Sequence, residues 1–388
     1  MRLLRGYPVP MKRRKYELKQ PVLNAKIQEL LDAAAGEFGE FEDADYVRQM
    51  IVTAIRFQRD RARTGDLKLT NSALKEMRHA FHTFAPYQHV RKVAVFGSAR
   101  TDPEHADYKA AYEFAQKIVT AGWMVITGAG DGIMGAAQGG AGRKKSFGVN
   151  IRLPFEQRAN EWIEGDHKLI NFRYFFTRKV MFVKESHAIA LLPGGFGTHD
   201  EGFETLTLIQ TGKSEILPVV FLDSPGGSYW KDWDEYVKTH LHERGLISGE
   251  DLALFHVTDD VDDAIYRIRN FYSNYHSSRY VREKLVIRLR RAPDREQLAA
   301  LNDDFSDLLA KGTIEVTAAL PSERGEVDHY PRVTLNFNRH AVGRLRMLID
   351  RLNTYVTERA SPPLEAAPHQ IVKTPLTPEA ETEEQDED

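Results

Sequence analysis

The 388-residue chain contains no cysteine. Disulfides, thiolate nucleophiles and cysteine metal sites are therefore excluded. The chain also lacks any apolar run near the ~20 residues that a membrane helix needs, and its basic N-terminal stretch has no apolar signal-peptide core. We therefore expect a cytoplasmic protein with no membrane attachment.

The chain also lacks a large excess of charge of either sign, since its formal net charge is −3. General nucleic-acid binders usually carry a clear basic excess, so no nucleic-acid partner is expected. The 14 histidines show no H-E-x-x-H or comparable spacing. We therefore predict neither a metal site nor a cofactor.

Composition shifts along the chain predict five segments. They are a flexible basic arm (1–22), a helical segment (23–90), a Rossmann-like domain (91–274), a small α+β domain (275–358) and a disordered acidic tail (359–388). Helical apolar spacing at Val47, Met50, Ile51, Ala54 and Ile55 predicts packing surface in the second segment. The fourth segment has a β-α-β-β-α order, which suits either an effector-binding module or a dimerisation or packing unit.

The third segment alternates short apolar strands with helical stretches. Predicted strands cover Lys92–Phe96, Met124–Thr127, Ser146–Ile151, Lys168–Phe172, His187–Leu192 and Leu217–Leu222. Continuous apolar strands that alternate with helices are typical of a parallel sheet covered on both faces. The predicted fold is α/β, a Rossmann-like sheet with a helical segment before it and a small α+β domain after it. Ligands bind such sheets at the carboxyl ends of their strands.

A glycine-rich turn, PGGFGTHDE, follows the strongly apolar strand at 187–192. Gly194, Gly195 and Gly197 allow backbone N–H groups to converge at a helix N-terminus, which favours an anion such as phosphate. Thr198 can cap that helix or donate its hydroxyl to the phosphate. A tight turn without a ligand is the alternative.

Charged residues on both sides of this turn are candidates for chemistry. Glu201 lies in the first turn of the following helix, where it either acts on a ligand or complements the helix dipole. Arg178 and Lys179 lie in the preceding helix and either reach the same cleft or form a solvated basic pair.

Two earlier turns provide further candidates for substrate binding. Gly97 and Ser98 end the first strand, while Gly130, Gly132 and Met134 follow the second. Neither the dinucleotide fingerprint in its usual first turn nor the Walker sequence is matched. Ordinary dehydrogenases and P-loop NTPases are therefore disfavoured.

Taken together, these blocks resemble the LOG (Lonely Guy) family, formerly labelled lysine decarboxylase-like, in a long bacterial-type form. Positions 193–201 match its signature PGGxGTxxE, and the upstream Arg178-Lys179 pair matches in kind and spacing. Val95 to Ser98 and Gly132 to Met134 also look like its conserved blocks. The resemblance covers about 92–236.

The resemblance implies a phosphoribohydrolase that cleaves the base from nucleoside 5′-monophosphates, with purine or cytokinin riboside monophosphates as substrates. It implies Glu201 and Arg178 as catalytic residues and the glycine blocks as substrate-binding residues. It further implies a homodimer or higher homo-oligomer.

Other functions are compatible with the same fold. A nucleotide or molybdenum-cofactor carrier is the main alternative, and a sensor whose C-terminal domain binds an effector is another. Lysine decarboxylation would require a Schiff-base lysine and a partner for pyridoxal phosphate, which no pattern identifies.

Overall fold

The computed structural model describes residues 16–152, 158–323 and 327–356. The predicted basic arm up to residue 15 and the acidic tail lie outside these ranges. The chain divides into two compact units, Met1–Lys75 and Glu76–Asp388. None of the helices in the described ranges combines the length and hydropathy needed to span a membrane.

The first unit is helical, as predicted. Its helices are α1 (Pro21–Phe38), α2 (Ala44–Arg59) and the first part of α3 (Thr64–Phe84). Pro21 begins α1, where its missing N–H costs no hydrogen bond. Leu18, Ile27 and Val52 form a small buried cluster. The apolar stripe predicted for α2 is only partly buried, since Met50 is 48% exposed.

The second unit is organised around a seven-stranded sheet in which every strand pair is parallel. The strands are β1 (Lys92–Phe96), β2 (Met124–Thr127), β3 (Ser146–Ile151), β4 (Leu169–Phe172), β5 (Ala188–Leu191), β6 (Val219–Leu222) and β7 (Phe255–Thr258). Their order is β4-β3-β2-β1-β5-β6-β7. The edge strand β7 was not predicted, because its residues are only half-buried and form no apolar run.

Helices flank this sheet. They are α4 (Ala106–Thr120), α5 (Ile133–Ala141), α6 (Phe175–Glu185), α7 (Phe196–Gln210), α8 (Tyr229–Tyr236) and α9 (Val261–Phe271). Strands β1, β2, β5 and β6 are buried along their whole length, as expected when both faces are covered. The predicted Rossmann-like α/β fold is confirmed.

A second, antiparallel sheet follows with the order β10-β11-β9-β8. Its elements are β8 (Tyr275–Val281), β9 (Lys284–Leu289), α10 (Arg295–Asp304), β10 (Leu309–Thr317), β11 (Arg332–Phe337) and α11 (Val342–Asn353). The predicted strand order omitted β8, whose centre is the polar run His276 to Arg279. Polar side chains there hide the strand from a pattern based on hydrophobicity.

A buried asparagine of α11, Asn353, links the start of the antiparallel sheet to helix α9, which flanks the large sheet. The Asn353 side-chain oxygen accepts hydrogen bonds from the Asn274 and Tyr275 backbone N–H groups at 3.2 and 2.9 Å. Its amide donates to the Phe271 carbonyl at 2.8 Å. One hydrophobic core runs through both sheets, so the predicted boundary at residue 275 stays a prediction.

Candidate active site

Three loops meet at the carboxyl edge of the large sheet, beside its central strand. Strand β1 pairs with β2 on one side and β5 on the other, so the strand order reverses there, which is where ligands bind such sheets. The Ser98 N–H donates to the Pro193 carbonyl at 3.0 Å, and the Ile133 N–H donates to the Ser98 carbonyl at 3.0 Å. All three glycine blocks singled out in the sequence are therefore neighbours.

Close packing of these loops requires glycine at two positions. A Cβ at Gly194 would overlap Thr198 Oγ1 and lie 2.9 Å from the Ser98 nitrogen. Gly132 has a φ of +59°, and a Cβ there would also overlap the Ser98 carbonyl oxygen. Any larger residue would push these loops apart.

The remaining predicted binding residues lie in the same loops. Gly97 packs against the Ile133 side chain, and Met134 lies against Gly130. The Ser98 N–H is occupied by Pro193, whereas the Ser98 hydroxyl oxygen accepts a hydrogen bond from the Arg100 N–H at 3.1 Å. The Ser98 hydroxyl proton therefore remains able to donate to a ligand.

The N-terminus of α7 forms the tip of the third loop. Gly195 occupies the cap position without a side-chain cap, so Thr198 does not cap this helix. The N–H groups of Thr198 and His199 donate to the Gly195 carbonyl at 3.0 and 3.2 Å. Within the described residues, the Phe196 and Gly197 N–H groups have no backbone acceptor. Unsatisfied donors at a helix N-terminus constitute an anion site.

Glu201 lies on α7 just behind this tip and is only 7% exposed. Burial raises the pKa of its carboxyl group, while the nearby charges of Lys179 and Arg178 pull that pKa back down. A buried carboxylate of this kind is poised to act on a proton or on developing positive charge.

Lys179 holds a group of carboxylates together. Its ammonium lies 2.8 Å from Asp200 and 3.8 Å from Glu201, and it also pairs with Glu204. Burial would lower the pKa of Lys179, but its bonds to Asp200 and Glu204 outweigh that effect and raise it. Across the described ranges, no group of three metal-ligating side chains has the geometry to hold an ion.

Arg178, the neighbour of Lys179 on α6, reaches towards the second glycine loop. Its Nη2 would lie 3.3 Å from a Cβ at Gly128, and its Nε is buried with no hydrogen-bond partner among the described residues. Burial lowers the pKa of Arg178, against the attraction of Glu201 and Asp200. Because guanidinium groups stay protonated, Arg178 places beside the Gly128 loop a cation that has no ion pair in the described part of the chain.

Two contributors to the site were not singled out by the sequence. The Tyr229 hydroxyl donates to the Gly194 carbonyl at 2.5 Å, and His199 Nε2 lies 2.7 Å from the Tyr229 oxygen. Since the tyrosine proton goes to Gly194, the histidine must donate. Tyr229 lies 35 residues from Gly194, so no local pattern reveals the contact.

Glu76 is the other contributor. Its carboxylate accepts hydrogen bonds from the Arg173 N–H at 2.9 Å and the Thr177 hydroxyl at 2.6 Å. It thereby fixes the beginning of α6, which carries Arg178. In the sequence Glu76 resembles any charged residue of a surface helix.

Comparisons with known proteins show a similarity at the level of the family. Residues 134–268 match the family described as "Possible lysine decarboxylase". A rice (Oryza sativa subsp. japonica) relative, the "Probable cytokinin riboside 5'-monophosphate phosphoribohydrolase LOGL5", is 25% identical over 193 residues, which cover 48% of this chain and 75% of the relative. The predicted resemblance to the LOG family is confirmed.

Solved structures with a similar arrangement include two proteins that handle molybdenum cofactor. The binding protein from Rippkaea orientalis is 20% identical with a TM-score of 0.33, covering 46% of this chain and 96% of that one. The carrier protein from Chlamydomonas reinhardtii is 22% identical with a TM-score of 0.34 and the same coverage.

Proposed function

We propose that the protein hydrolyses the N-glycosidic bond of nucleoside 5′-monophosphates, releasing the free base and ribose 5-phosphate. One observation carries this proposal. A buried carboxylate, Glu201, lies within electrostatic range of Arg178, which makes no ion pair among the described residues, and Glu201 stands on the helix whose N-terminal N–H groups are free. Such an arrangement offers a general base, a cation and a phosphate anchor together.

The 5′-phosphate would lie at the N-terminus of α7. The Phe196 and Gly197 N–H groups are available to it, and the Thr198 hydroxyl and the Ser98 backbone lie beside Gly194 in the same loops. Anchoring the phosphate there would hold the ribose near Glu201, so that binding energy from a non-reacting group serves the chemistry.

Glu201 would act on the reacting carbon. As the C1′–N bond breaks, its electron pair leaves with the base and positive charge develops on C1′ and O4′, as in glycoside hydrolysis. The carboxylate stabilises that charge and takes a proton from water, whose oxygen forms the new bond to C1′. The departing base takes up a proton, which completes the balance.

Arg178 would bind the substrate and stabilise the base as it leaves. Its guanidinium is close to the Gly128 loop and has no carboxylate partner within the described residues. A donor without a protein partner gains more from a substrate oxygen or nitrogen than one already in an ion pair.

We further propose a homodimer or higher homo-oligomer. Several large apolar side chains near the crevice are exposed: Phe175 (52%), Phe176 (48%) and Val180 (47%) on α6, and Phe203 (39%) on α7. A second copy of the chain would remove these side chains from water. Sedimentation velocity measures the assembly directly.

The test of function is product release from a panel of nucleotides. The purified protein is incubated with AMP, GMP, IMP, CMP, UMP and isopentenyladenosine monophosphate, and free base is detected by chromatography. Glu201→Gln should retain nucleotide binding and lower turnover about 10²–10⁴-fold, the usual contribution of a general base.

The matched control is Asp200→Asn, since Asp200 contacts the same lysine but is 61% exposed. Base release that Glu201→Gln leaves unchanged rules out the catalytic role of Glu201. Nucleotide binding without release of any base would instead identify a carrier.

A further inference from the structure

A second cavity lies at the opposite edge of the large sheet. It has a volume of about 950 Å³, which is within the range of small-molecule sites. Arg91 and His187, which line it, immediately precede β1 and β5. The opposite wall is β8 of the antiparallel sheet, from Tyr275 to Arg279. The Arg91 end of the cavity is therefore at the amino edge of the sheet, away from the glycine loops, while Lys179 and Glu204 lie at the other end of its lining.

Lysine and arginine outnumber carboxylates in the lining by six to two, although Lys179 and Glu204 of the lining pair with each other. Some of these cations are already neutralised within the protein. Lys184 lies 2.5 Å from Glu185 and Arg288 lies 2.7 Å from Glu323. In the described part of the chain, neither Arg91 nor Lys213 makes an ion pair.

Arg91 is the unusual member of this group. It is 4% exposed, and its guanidinium stacks on the Tyr272 ring at 3.6 Å. Among the described residues its Nε finds no hydrogen-bond partner. Burying a charge without an ion pair is costly, and a cation–π contact offsets only part of that cost. Arg91 therefore gains from an anion bound in the cavity.

Other groups near Arg91 also experience an excess of positive charge. A buried nitrogen of Arg290, Nη2, has no hydrogen-bond partner within the described ranges. His276 lines the cavity at 5% exposure. Burial, together with the charges of Arg91, Arg290 and Arg288, lowers the pKa of His276 to about 3. These groups make the β8 side of the cavity electropositive.

We propose that this cavity binds a small molecule bearing phosphate groups, at a site separate from the candidate active site. The planar guanidinium of Arg91 suits phosphate oxygens, and the exposed side chain of Lys213 adds a second cation. Helix α6 connects the two sites, because it carries Arg178 at the crevice and Val183 and Lys184 at the cavity. The binding of this molecule does not depend on the proposed function. Only an effect of the bound molecule on turnover would rest on that function.

Isothermal titration calorimetry of the full chain with inorganic pyrophosphate, and separately with ADP, tests the proposal. Lys213→Ala and Arg91→Gln should each weaken binding roughly tenfold, the usual size of one charge-assisted contact. Lys145→Ala is the matched control, since Lys145 is an exposed lysine outside the cavity lining. Thr198→Val reports binding at the glycine loop. Circular dichroism checks that Arg91→Gln folds. If Arg91→Gln does not fold, the affinity of Lys213→Ala tests the proposal.

Binding that weakens with Lys213→Ala and persists with Lys145→Ala and Thr198→Val supports the site. Under that pattern, tighter binding of ADP identifies a nucleotide, and equal affinities identify the phosphates alone as the recognised group. The proposal is overturned if neither ligand binds, or if Thr198→Val abolishes binding that Lys213→Ala leaves unchanged.

Discussion

The ammonium of Lys179 lies 3.8 Å from the Glu201 carboxylate, too far for a hydrogen bond but close enough for a strong electrostatic effect. Its closer partners are Asp200 and Glu204. Lys179 therefore lowers the pKa of Glu201 through space without occupying its oxygens, and the Glu201 carboxylate remains free to act.

That relationship predicts a pH dependence. Burial raises the pKa of Glu201 and Lys179 lowers it, so removal of the lysine charge must raise that pKa further. Because the reaction needs the ionised carboxylate, the acid limb of kcat should move to higher pH in Lys179→Met. A pH–rate profile beside Lys145→Met measures the shift. An acid limb at the same pH in both variants would contradict this electrostatic role.

Arg178→Ala should weaken both nucleotide binding and turnover. Each loss should be about 10- to 100-fold, since a charge-assisted hydrogen bond contributes ~1.5–3 kcal/mol. Arg267→Ala is the matched control, because that arginine pairs with Asp263 at 3.2 Å on an exposed helix face. Separate measurement of Kd and kcat is required. If Arg178→Ala behaves like the control, Arg178 is merely part of a solvated basic pair.

Gly194 and Gly195 provide a matched pair of substitutions. Alanine at Gly194 would overlap Thr198 Oγ1, whereas a Cβ at Gly195 meets nothing within 4 Å. Gly194→Ala should therefore cost about 1–3 kcal/mol of stability and distort the anion site, while Gly195→Ala should be nearly neutral. Thermal unfolding and nucleotide affinity report the two effects. Equal behaviour of the two variants would show that the loop adapts.

Asn353→Ala should destabilise the second unit by about 2–4 kcal/mol, because it removes one acceptor shared by two buried N–H groups and one donor. Those groups belong to Asn274, Tyr275 and Phe271. Denaturant unfolding measures the loss. Asn171→Ala should remain within ~0.5 kcal/mol, since Asn171 is exposed. A loss from Asn353→Ala no larger than this control would show that the two sheets are joined by hydrophobic contacts alone.

Local patterns in the sequence determined most of the parallel sheet and the glycine turns. Buried parallel strands need continuous apolar residues, and loops that pack as closely as that of Gly194 need glycine. Both requirements are met by residues adjacent in the chain, and so both can be recognised without a structure. Strands β7 and β8 were not predicted from the sequence, because neither has an apolar run.

Tertiary structure alone decided which charges face each other. Lys179 and Arg178 are adjacent in sequence, yet helix geometry directs one to the α7 carboxylates and the other to the Gly128 loop. Tyr229 donates a hydrogen bond to Gly194, and Arg91 is buried with no partner for its Nε among the described residues. Both features depend on segments far apart in the chain. Which charged and hydrogen-bonding groups pair depends on their distance in space, and only the folded chain sets that distance.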